Sequence, residues 1–250
     1  MSTNLPLQES PSSAPVQDST IPAMPAPKII VAIDGPSGAG KSTIARHLAR
    51  HFGLLNLETG AMYRAFALKA LRASLPLDDA AGLKKLASET TIQLQPTEAQ
   101  NRVLLDNEDV TEQLRNTTVT DAASHISVIP AIRAWMVRMQ QQMAKDGGVV
   151  MEGRDIGTVV FPHAEVKIFL DAAPEVRGLR RFEQMGAPVE RQPEEVIREL
   201  RERDLRDRNR ADSPLKPARD AVLLDSTGMT LDEAVKAAER IVEEKLAARR

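Results

Sequence analysis

The chain contains no cysteine, one tryptophan and one tyrosine among its 250 residues. The lack of cysteine excludes disulfide bonds, thiolate metal sites and cysteine nucleophiles. Neither sign of charge dominates, because 33 lysines and arginines stand against 35 acidic residues and the net charge is −2. A general attraction to nucleic acid polymers or to an anionic membrane is therefore not indicated, and a local cluster of cations is interpreted as a site.

Long apolar runs are also missing, since no run approaches the length that spans a bilayer. The first 20 residues lack the basic start and the apolar centre of a secretory signal. These absences predict a cytoplasmic protein. Residues 1–27 are rich in Pro, Ser, Ala and Thr. Such a segment cannot bury enough apolar surface to offset its ordering entropy, so we predict a disordered tail.

From residue 28 onward, short apolar runs alternate with helical patterns. The runs that predict buried strands are "KIIVAIDG", "GVVMEG", "VKIFLD" and "AVLLD". The helical patterns cover residues 130–145, 174–185, 193–210 and 231–248. Strands that alternate with helices predict an α/β fold with a parallel sheet core flanked by helices.

Residues 74–118 interrupt this alternation. They contain a short helical piece and then "TIQL" and "RVLLDNEDV", in which apolar and polar residues alternate around turn-forming residues. This pattern predicts a small α+β insertion with antiparallel strands. The core of the fold is then expected to consist of residues 28–73 and 119–250.

The sequence "GPSGAGKS" fits the phosphate-loop pattern G-x-x-x-x-G-K-[ST] and lies between a predicted strand and a predicted helix. Glycines let successive backbone N–H groups turn inward, and the positive end of the following helix adds to this anion-binding nest. Lys41 can reach the β- and γ-phosphates, and the Ser42 hydroxyl can ligate Mg²⁺. The motif predicts a P-loop NTPase fold that binds ATP with Mg²⁺ through Gly35, Pro36, Ser37, Gly38, Ala39, Gly40, Lys41, Ser42 and Thr43.

Two classes of function remain open at this point. A nucleotide switch or ATPase needs a Mg²⁺-binding carboxylate at the end of a strand, and Asp171 could supply it. Asp171 could equally be the N-cap of the helix that is predicted to start at Pro174. A kinase must instead hold a second anion that faces the first, and it must neutralise their repulsion with cations.

Five of the ten residues in "RERDLRDRNR", residues 201–210, are arginines. A helix places part of this stretch on one face, at positions i, i+3, i+4 and i+7. The alternative is a solvated helix with i,i+4 ion pairs, such as Asp204–Arg208, that stabilise it by about 0.2–0.5 kcal/mol each. Because such pairs give weak reason for five arginines, we favour a lid that brings guanidinium groups over phosphates. The face consists of Arg203, Arg206, Asp207 and Arg210.

Further cations and hydroxyls lie where an acceptor site is expected. In "LETGAMYRA", Thr59 is predicted to be a helix N-cap and Arg64 to lie in the first turns. Arg154 and Asp155 follow the strand "VVMEG", where ligands bind in open α/β sheets. From the residues alone, Arg64 could be a solvated helix residue, and Arg154 and Asp155 could form a local ion pair in a turn.

Taken together, these stretches resemble the bacterial cytidylate kinases. The resemblance runs from about Lys28 to the C-terminus and leaves only the tail uncovered. Two positions depart from the family, which often has Ser where this chain has Thr59 and Asp where it has Glu152. The motifs that carry the resemblance, in the order of the family, are "IDGPSGAGKST", "TGAMYR", "GRDIGTVVFP", "KIFLDA" and "RDLRDRNR".

The resemblance implies the fold of nucleoside monophosphate kinases and the transfer of a phosphoryl group from ATP to CMP or dCMP. It implies that residues 74–118 are the monophosphate-binding insertion and that a helical lid covers about 178–215. We expect the chain to be a monomer. The residues implied to read the pyrimidine are Thr59, Ser124, Arg133 and Asp155. Those implied to hold the monophosphate are Arg64, Arg154 and Arg210, and those on the ribose are Arg203 and Asp207. The cations that we predict to be catalytic are Lys41, Arg154, Arg203, Arg206 and Arg210.

Cytosine is chemically compatible with this assignment. It offers an N4 amine donor beside N3 and O2 acceptors, so Asp155 can accept from the amine and Arg133 can donate to the ring. Without the resemblance, "ASHISVIPAIRAW", which contains Ser124 and Arg133, is a plain amphipathic helix pair around Pro130.

Overall fold

The computed structural model of the protein describes residues 28–97, 101–184 and 192–248. The tail predicted over residues 1–27 lies outside these ranges. Among the described helices, none combines the length and the apolar character needed to cross a bilayer. Within the described ranges, the helices and strands are, in chain order, β1 (Ile30–Asp34), α1 (Lys41–Phe52), β2 (Leu55–Glu58), α2 (Thr59–Arg72), α3 (Ala80–Ser88), β3 (Ile92–Pro96), β4 (Asn101–Leu105), β5 (Glu108–Asp109), α4 (Thr117–Ile126), α5 (Pro130–Met143), β6 (Val149–Gly153), β7 (Val166–Asp171), α6 (Pro174–Gln184), α7 (Pro193–Asn209), β8 (Val222–Asp225) and α8 (Leu231–Ala247).

Five of the strands form a parallel sheet in the order β2-β6-β1-β7-β8. The predicted α/β fold is therefore confirmed. Val31 of β1 aligns with Val150 of β6 on one side and with Val166 of β7 on the other. Because β1 lies between strands that come much later in the chain, its carboxyl end opens at the middle of the sheet edge, where ligands bind in such folds.

Both faces of the sheet are covered, which explains why its strands are continuous apolar runs. Val31 and Ile33 of β1 pack into a core with residues of α1 and α8. Ala32 faces the other way and packs with Ile156 and Val160. The last two residues belong to a π-helical turn, Ile156–Val160, that follows β6 and that the sequence patterns do not predict.

A second apolar core lies beside the sheet. Strands β3, β4 and β5 pair antiparallel, as the alternating residues of this stretch predict. Their buried residues join those of α2, α3, α4 and α5 in one cluster, in which the Phe66 and Trp135 rings lie 5.0 Å apart. Because α2, α5 and most of α4 lie outside residues 74–118, the boundaries of the inserted domain stay a prediction.

Candidate active site

The phosphate loop connects the end of β1 to the first residue of α1. Two glycines are required by its shape. A Cβ atom on Gly35 would lie 1.9 Å from the Leu170 carbonyl oxygen of β7, and Gly38 has a φ of 77°, which L side chains rarely adopt. The loop therefore lies directly against the sheet, with the N-terminus of α1 behind it.

Lys41 is a buried cation at the centre of this loop. Its Nζ donates to the Pro36 carbonyl oxygen at 2.7 Å. Burial lowers the pKa of Lys41 to about 7, and the positive charges of Arg154 and Arg203 add to this effect, while Glu152 opposes it. The negative charge of an incoming triphosphate would favour the ammonium form and relieve the repulsion.

A carboxylate that the sequence analysis did not assign to the site lies next to Lys41. Glu152, in β6, is buried, accepts a hydrogen bond from the Ser42 hydroxyl, and has an Oε1 atom without a hydrogen-bond partner. Burial and, to a smaller extent, the charge of Glu58 raise the pKa of Glu152 to about 7, although Lys41 opposes this shift. The hydroxyl and the carboxylates are oxygen donors of the kind that Mg²⁺ prefers, so this corner of the site fits that ion.

Arg154, immediately after β6, joins the sheet edge to α7. Its Nε donates to Asp207 Oδ2 at 2.8 Å. Arg154 therefore pairs with Asp207 and not with its neighbour Asp155, which was the alternative. Burial raises the pKa of Asp207, but the charges of Arg154 and Arg203 lower it more, and the net shift is downward. Burial and the charge of Arg154 lower the pKa of Arg203 to about 10. Lys41, Arg154 and Arg203 thus form one group of cations, whose charge Asp207 and Glu152 partly compensate.

Arg206, the fourth member of the predicted face, has a buried Nε without a hydrogen-bond partner. The contacts found among the described residues do not join it to the group at Lys41. Of the ion pairs weighed as the alternative for this helix, Asp204–Arg208 does not form. Asp204 pairs with Arg177, and an Nη atom of Arg208 lies 3.5 Å from Asp171.

A second group of charges surrounds Asp155. Its carboxylate forms an ion pair with Arg133 of α5, and both side chains are buried, with exposed fractions of 10% and 5%. Arg210, which follows α7, lies 3.9 Å from Asp155 and 3.8 Å from Asp207, so it bridges the two groups of charges. Ser127 supplies a backbone carbonyl that accepts from Arg133 at 3.0 Å.

Several polar atoms in this second group are buried and have no hydrogen-bond partner, namely Ser124 Oγ, Arg133 Nε and Arg210 Nη2. Buried polar atoms in native proteins are normally paired, so these orphaned donors indicate where a polar ligand can bind. Tyr63 lies beside them, and burial raises its pKa to about 12. The sequence analysis did not single out Tyr63, although it belongs to the motif "TGAMYR".

The prediction that Thr59 caps α2 is wrong. Glu58 is the N-cap residue, and Thr59 is the first residue of the helix. The Thr59 hydroxyl donates instead to the Glu152 carbonyl oxygen at 2.7 Å, because β2 lies parallel to β6 with Glu58 opposite Glu152. Arg64, one turn further, forms an ion pair with Glu58 and is not a free solvated residue.

Asp171 ends β7, but it does not cap α6 as the sequence analysis considered. The helix begins at Pro174, and an Asp171 oxygen accepts instead from the Ala172 N–H at 2.9 Å. The N–H of Ala173 is satisfied by the Thr227 hydroxyl at 2.9 Å. Of the two predicted roles, the cap is therefore excluded.

A buried arginine that the sequence does not reveal ties the phosphate loop to α7. Arg177 of α6 is 1% exposed, and its guanidinium donates to the carbonyl oxygens of Ala172 at 2.7 Å and Ser37 at 2.8 Å. It also donates to Asp204 of α7 at 2.5 Å. One guanidinium group on α6 therefore connects that helix to both the phosphate loop and α7.

The parallel sheet, the phosphate loop and the buried group of cations beside it are typical of a kinase of the phosphate-loop class. A family model described as cytidylate kinase matches residues 31–244. The chain belongs to the cytidylate kinase family.

Two relatives show the extent of the similarity. A cytidylate kinase of Pelotomaculum thermopropionicum is 50% identical over 210 residues, which are 82% of this chain and 92% of that protein. A cytidylate kinase of Pasteurella multocida is 42% identical over 220 residues, which are 88% of this chain and 97% of that protein. The similarity thus extends over nearly the full length of each relative.

The Arg177–Asp204 contact yields a test of stability. Removing one partner of a buried ion pair leaves an uncompensated charge, so we expect Asp204→Ala to lower the free energy of unfolding by about 3–5 kcal/mol. The matched control is Arg201→Ala, which removes an ion pair to Glu175 between the same two helices whose partners are 55% and 53% exposed. This control should leave the free energy of unfolding nearly unchanged. Urea unfolding measures both, and equal effects would contradict the role assigned to Arg177.

Proposed function

We propose that the protein transfers the γ-phosphoryl group of ATP to a phosphate oxygen of CMP or dCMP, which yields ADP and CDP or dCDP. The proposal rests on one observation. Lys41 lies close enough to Arg154 and Arg203 to be repelled by them, and the ion pair of Arg133 with Asp155 lies beside this group. In the transfer, the bond from the γ-phosphorus to the leaving oxygen of ADP breaks as a bond to the acceptor oxygen forms. Neutralising the charge on these oxygens supplies most of the catalysis in this reaction class.

The donor site is assigned to the phosphate loop. Its backbone N–H groups and Lys41 would hold the triphosphate, once the lysine exchanges the Pro36 carbonyl for a phosphate oxygen. Ser42 and Glu152 would hold Mg²⁺ through their oxygen atoms, with Glu58 nearby. When bound, Mg²⁺ neutralises phosphate charge in this reaction class.

The acceptor site is assigned to the charges around Asp155. Its carboxylate would accept from the cytosine N4 amine, and the orphaned donors of Ser124 and Arg133 would serve the N3 and O2 atoms. Arg64, Arg154 and Arg210 would hold the monophosphate, and Arg203 and Asp207 would contact the ribose. Arg206 would join them as α7, part of the lid proposed over residues 178–215, approaches the nucleotides.

The function is tested by measuring ADP release with ATP and Mg²⁺ in the presence of CMP, dCMP, UMP, AMP or no acceptor. We expect rapid release with CMP and dCMP, and slow release with the other acceptors. Release that is fastest with UMP would assign a different acceptor to the same fold. Release that does not depend on any acceptor would indicate an ATPase that regulates a partner.

The specificity assigned to Asp155 is tested by Asp155→Asn. An asparagine can donate to the uracil O4 atom that the carboxylate would repel, so the preference for CMP over UMP should fall. Each discriminating hydrogen bond contributes about 1–3 kcal/mol, so we expect the ratio of kcat/KM values to fall by about 5-fold or more. Asp232→Asn, at an exposed position on α8, is the control that should keep the ratio. An unchanged ratio in an active Asp155→Asn enzyme would reject the assignment.

Arg210 is assigned to the transferred phosphoryl group, because it lies between the two groups of charges and has a buried donor without a hydrogen-bond partner. Removing one such donor typically costs about 10²–10³-fold in rate, so kcat for Arg210→Ala should fall by at least about 100-fold. The control Arg208→Ala removes a nearby side chain that is 47% exposed, and its kcat should be close to that of the unaltered protein. Circular dichroism and thermal unfolding confirm folding, and a normal kcat for Arg210→Ala would exclude this role.

A further inference from the structure

Two histidines and a glutamate converge on the side of the molecule where α1 packs against α8. His47 and His51 lie at positions i and i+4 of α1, so they share one face of the helix. Glu239 approaches from α8. Its Oε1 atom lies 2.6 Å from His47 Nε2 and 3.3 Å from His51 Nδ1. The three potential ligand atoms all lie within 4.8 Å of one another.

We propose that this cluster, His47, His51 and Glu239, is a binding site for a divalent transition metal such as Zn²⁺. Two imidazoles and a carboxylate are one of the sets of three protein ligands that bind zinc. Water then takes the fourth position. The ligand class excludes a preference for Mg²⁺, which favours oxygen donors only. The site is therefore chemically different from the oxygen donors at Ser42 and Glu152.

The spacing of the ligand atoms fits such an ion. A tetrahedral Zn²⁺ with bonds of about 2.0 Å places its ligand atoms about 3.3 Å apart. The separation of 3.3 Å between His51 Nδ1 and Glu239 Oε1 already has this value. The 2.6 Å separation at His47 is that of a hydrogen bond and would have to widen. The exposed fractions of the three side chains, 45% for His47, 47% for His51 and 20% for Glu239, leave room for this adjustment.

The surroundings can accommodate the charge and the water ligands of the ion. Glu239 also lines a surface groove of about 590 Å³, together with the acidic residues Glu233 and Glu243 and the basic residues Lys236 and Arg240. Acidic groups thus outnumber basic ones in the groove. The positive charge of Lys236 is further compensated by Asp232, 2.7 Å from its Nζ.

The position on α1 separates this site from the phosphates while keeping both on one rigid element. At a rise of about 1.5 Å per residue, His47 lies about 9 Å along the helix from Lys41. A metal here would link the second half of α1 to α8 without touching the nucleotides. Because it binds the folded arrangement of two helices, it would stabilise the folded protein.

The test is a titration of the full chain, free of nucleotide and without an affinity tag, with Zn²⁺. Calorimetry should show one bound ion that excess Mg²⁺ does not displace. At a free concentration about 100-fold above Kd, the Tm should rise by about 5–10 °C. His47→Gln and His51→Gln should each weaken Zn²⁺ binding by at least about 10-fold. Substitutions of residues that only support the metal ligands already cause losses of this size, so the loss of a ligand should cause at least as much.

The chain supplies matched controls, because its other two histidines, His125 and His163, are also exposed. His125→Gln and His163→Gln should bind Zn²⁺ as the unaltered protein does. Thermal unfolding without metal shows that each variant folds. The proposal is overturned if the protein binds no Zn²⁺, if Mg²⁺ displaces it, or if His47→Gln and His51→Gln bind it as tightly as the two controls.

Discussion

The structure depends on holding several cations close together before any phosphate is bound. Lys41, Arg154 and Arg203 repel one another, and this repulsion and their burial lower the pKa of Lys41 and of Arg203. Asp207 compensates part of this charge through its hydrogen bond with Arg154, and Glu152 compensates another part. Such a group is costly to bury without partners, and two phosphorylated ligands are suitable partners for it.

The sheet order explains how residues far apart in sequence reach this group. Strand β1 delivers the phosphate loop, and β6, its neighbour in the sheet, delivers Glu152 and Arg154 at the same edge. Helix α7 reaches that edge from the other side through Asp207, and Arg177 connects it to the loop by hydrogen bonds. The second core contributes Arg133 from α5, so the acceptor site that we propose lies where the two cores meet.

Local signals in the sequence predicted most of the fold, and they identified the phosphate loop to which we assign the donor. Strands buried on both faces must be continuous apolar runs, and the phosphate loop requires its glycines and lysine at fixed spacing, so both were visible in the sequence. The partners of the charged residues were not visible in the sequence. A charged residue can form a tertiary contact in place of an i,i+4 contact while the spacing of charges along the helix stays the same. For this reason, Asp204 pairs with Arg177 and not with Arg208. Likewise, the Thr59 hydroxyl donates to the Glu152 carbonyl and does not cap the helix. Glu152 itself could have been found, since it lies at the carboxyl end of β6, the same location that drew attention to Arg154.

The hydrogen bond from Lys41 to the Pro36 carbonyl has a consequence for the cost of recognition. It is a contact within the protein that helps to fix the shape of the loop. A nucleotide that binds Lys41 then replaces the contact with Pro36 and does not have to order a flexible loop. The conformational freedom that such a segment would lose on binding has already been lost during folding, so more of the contact energy remains available as affinity.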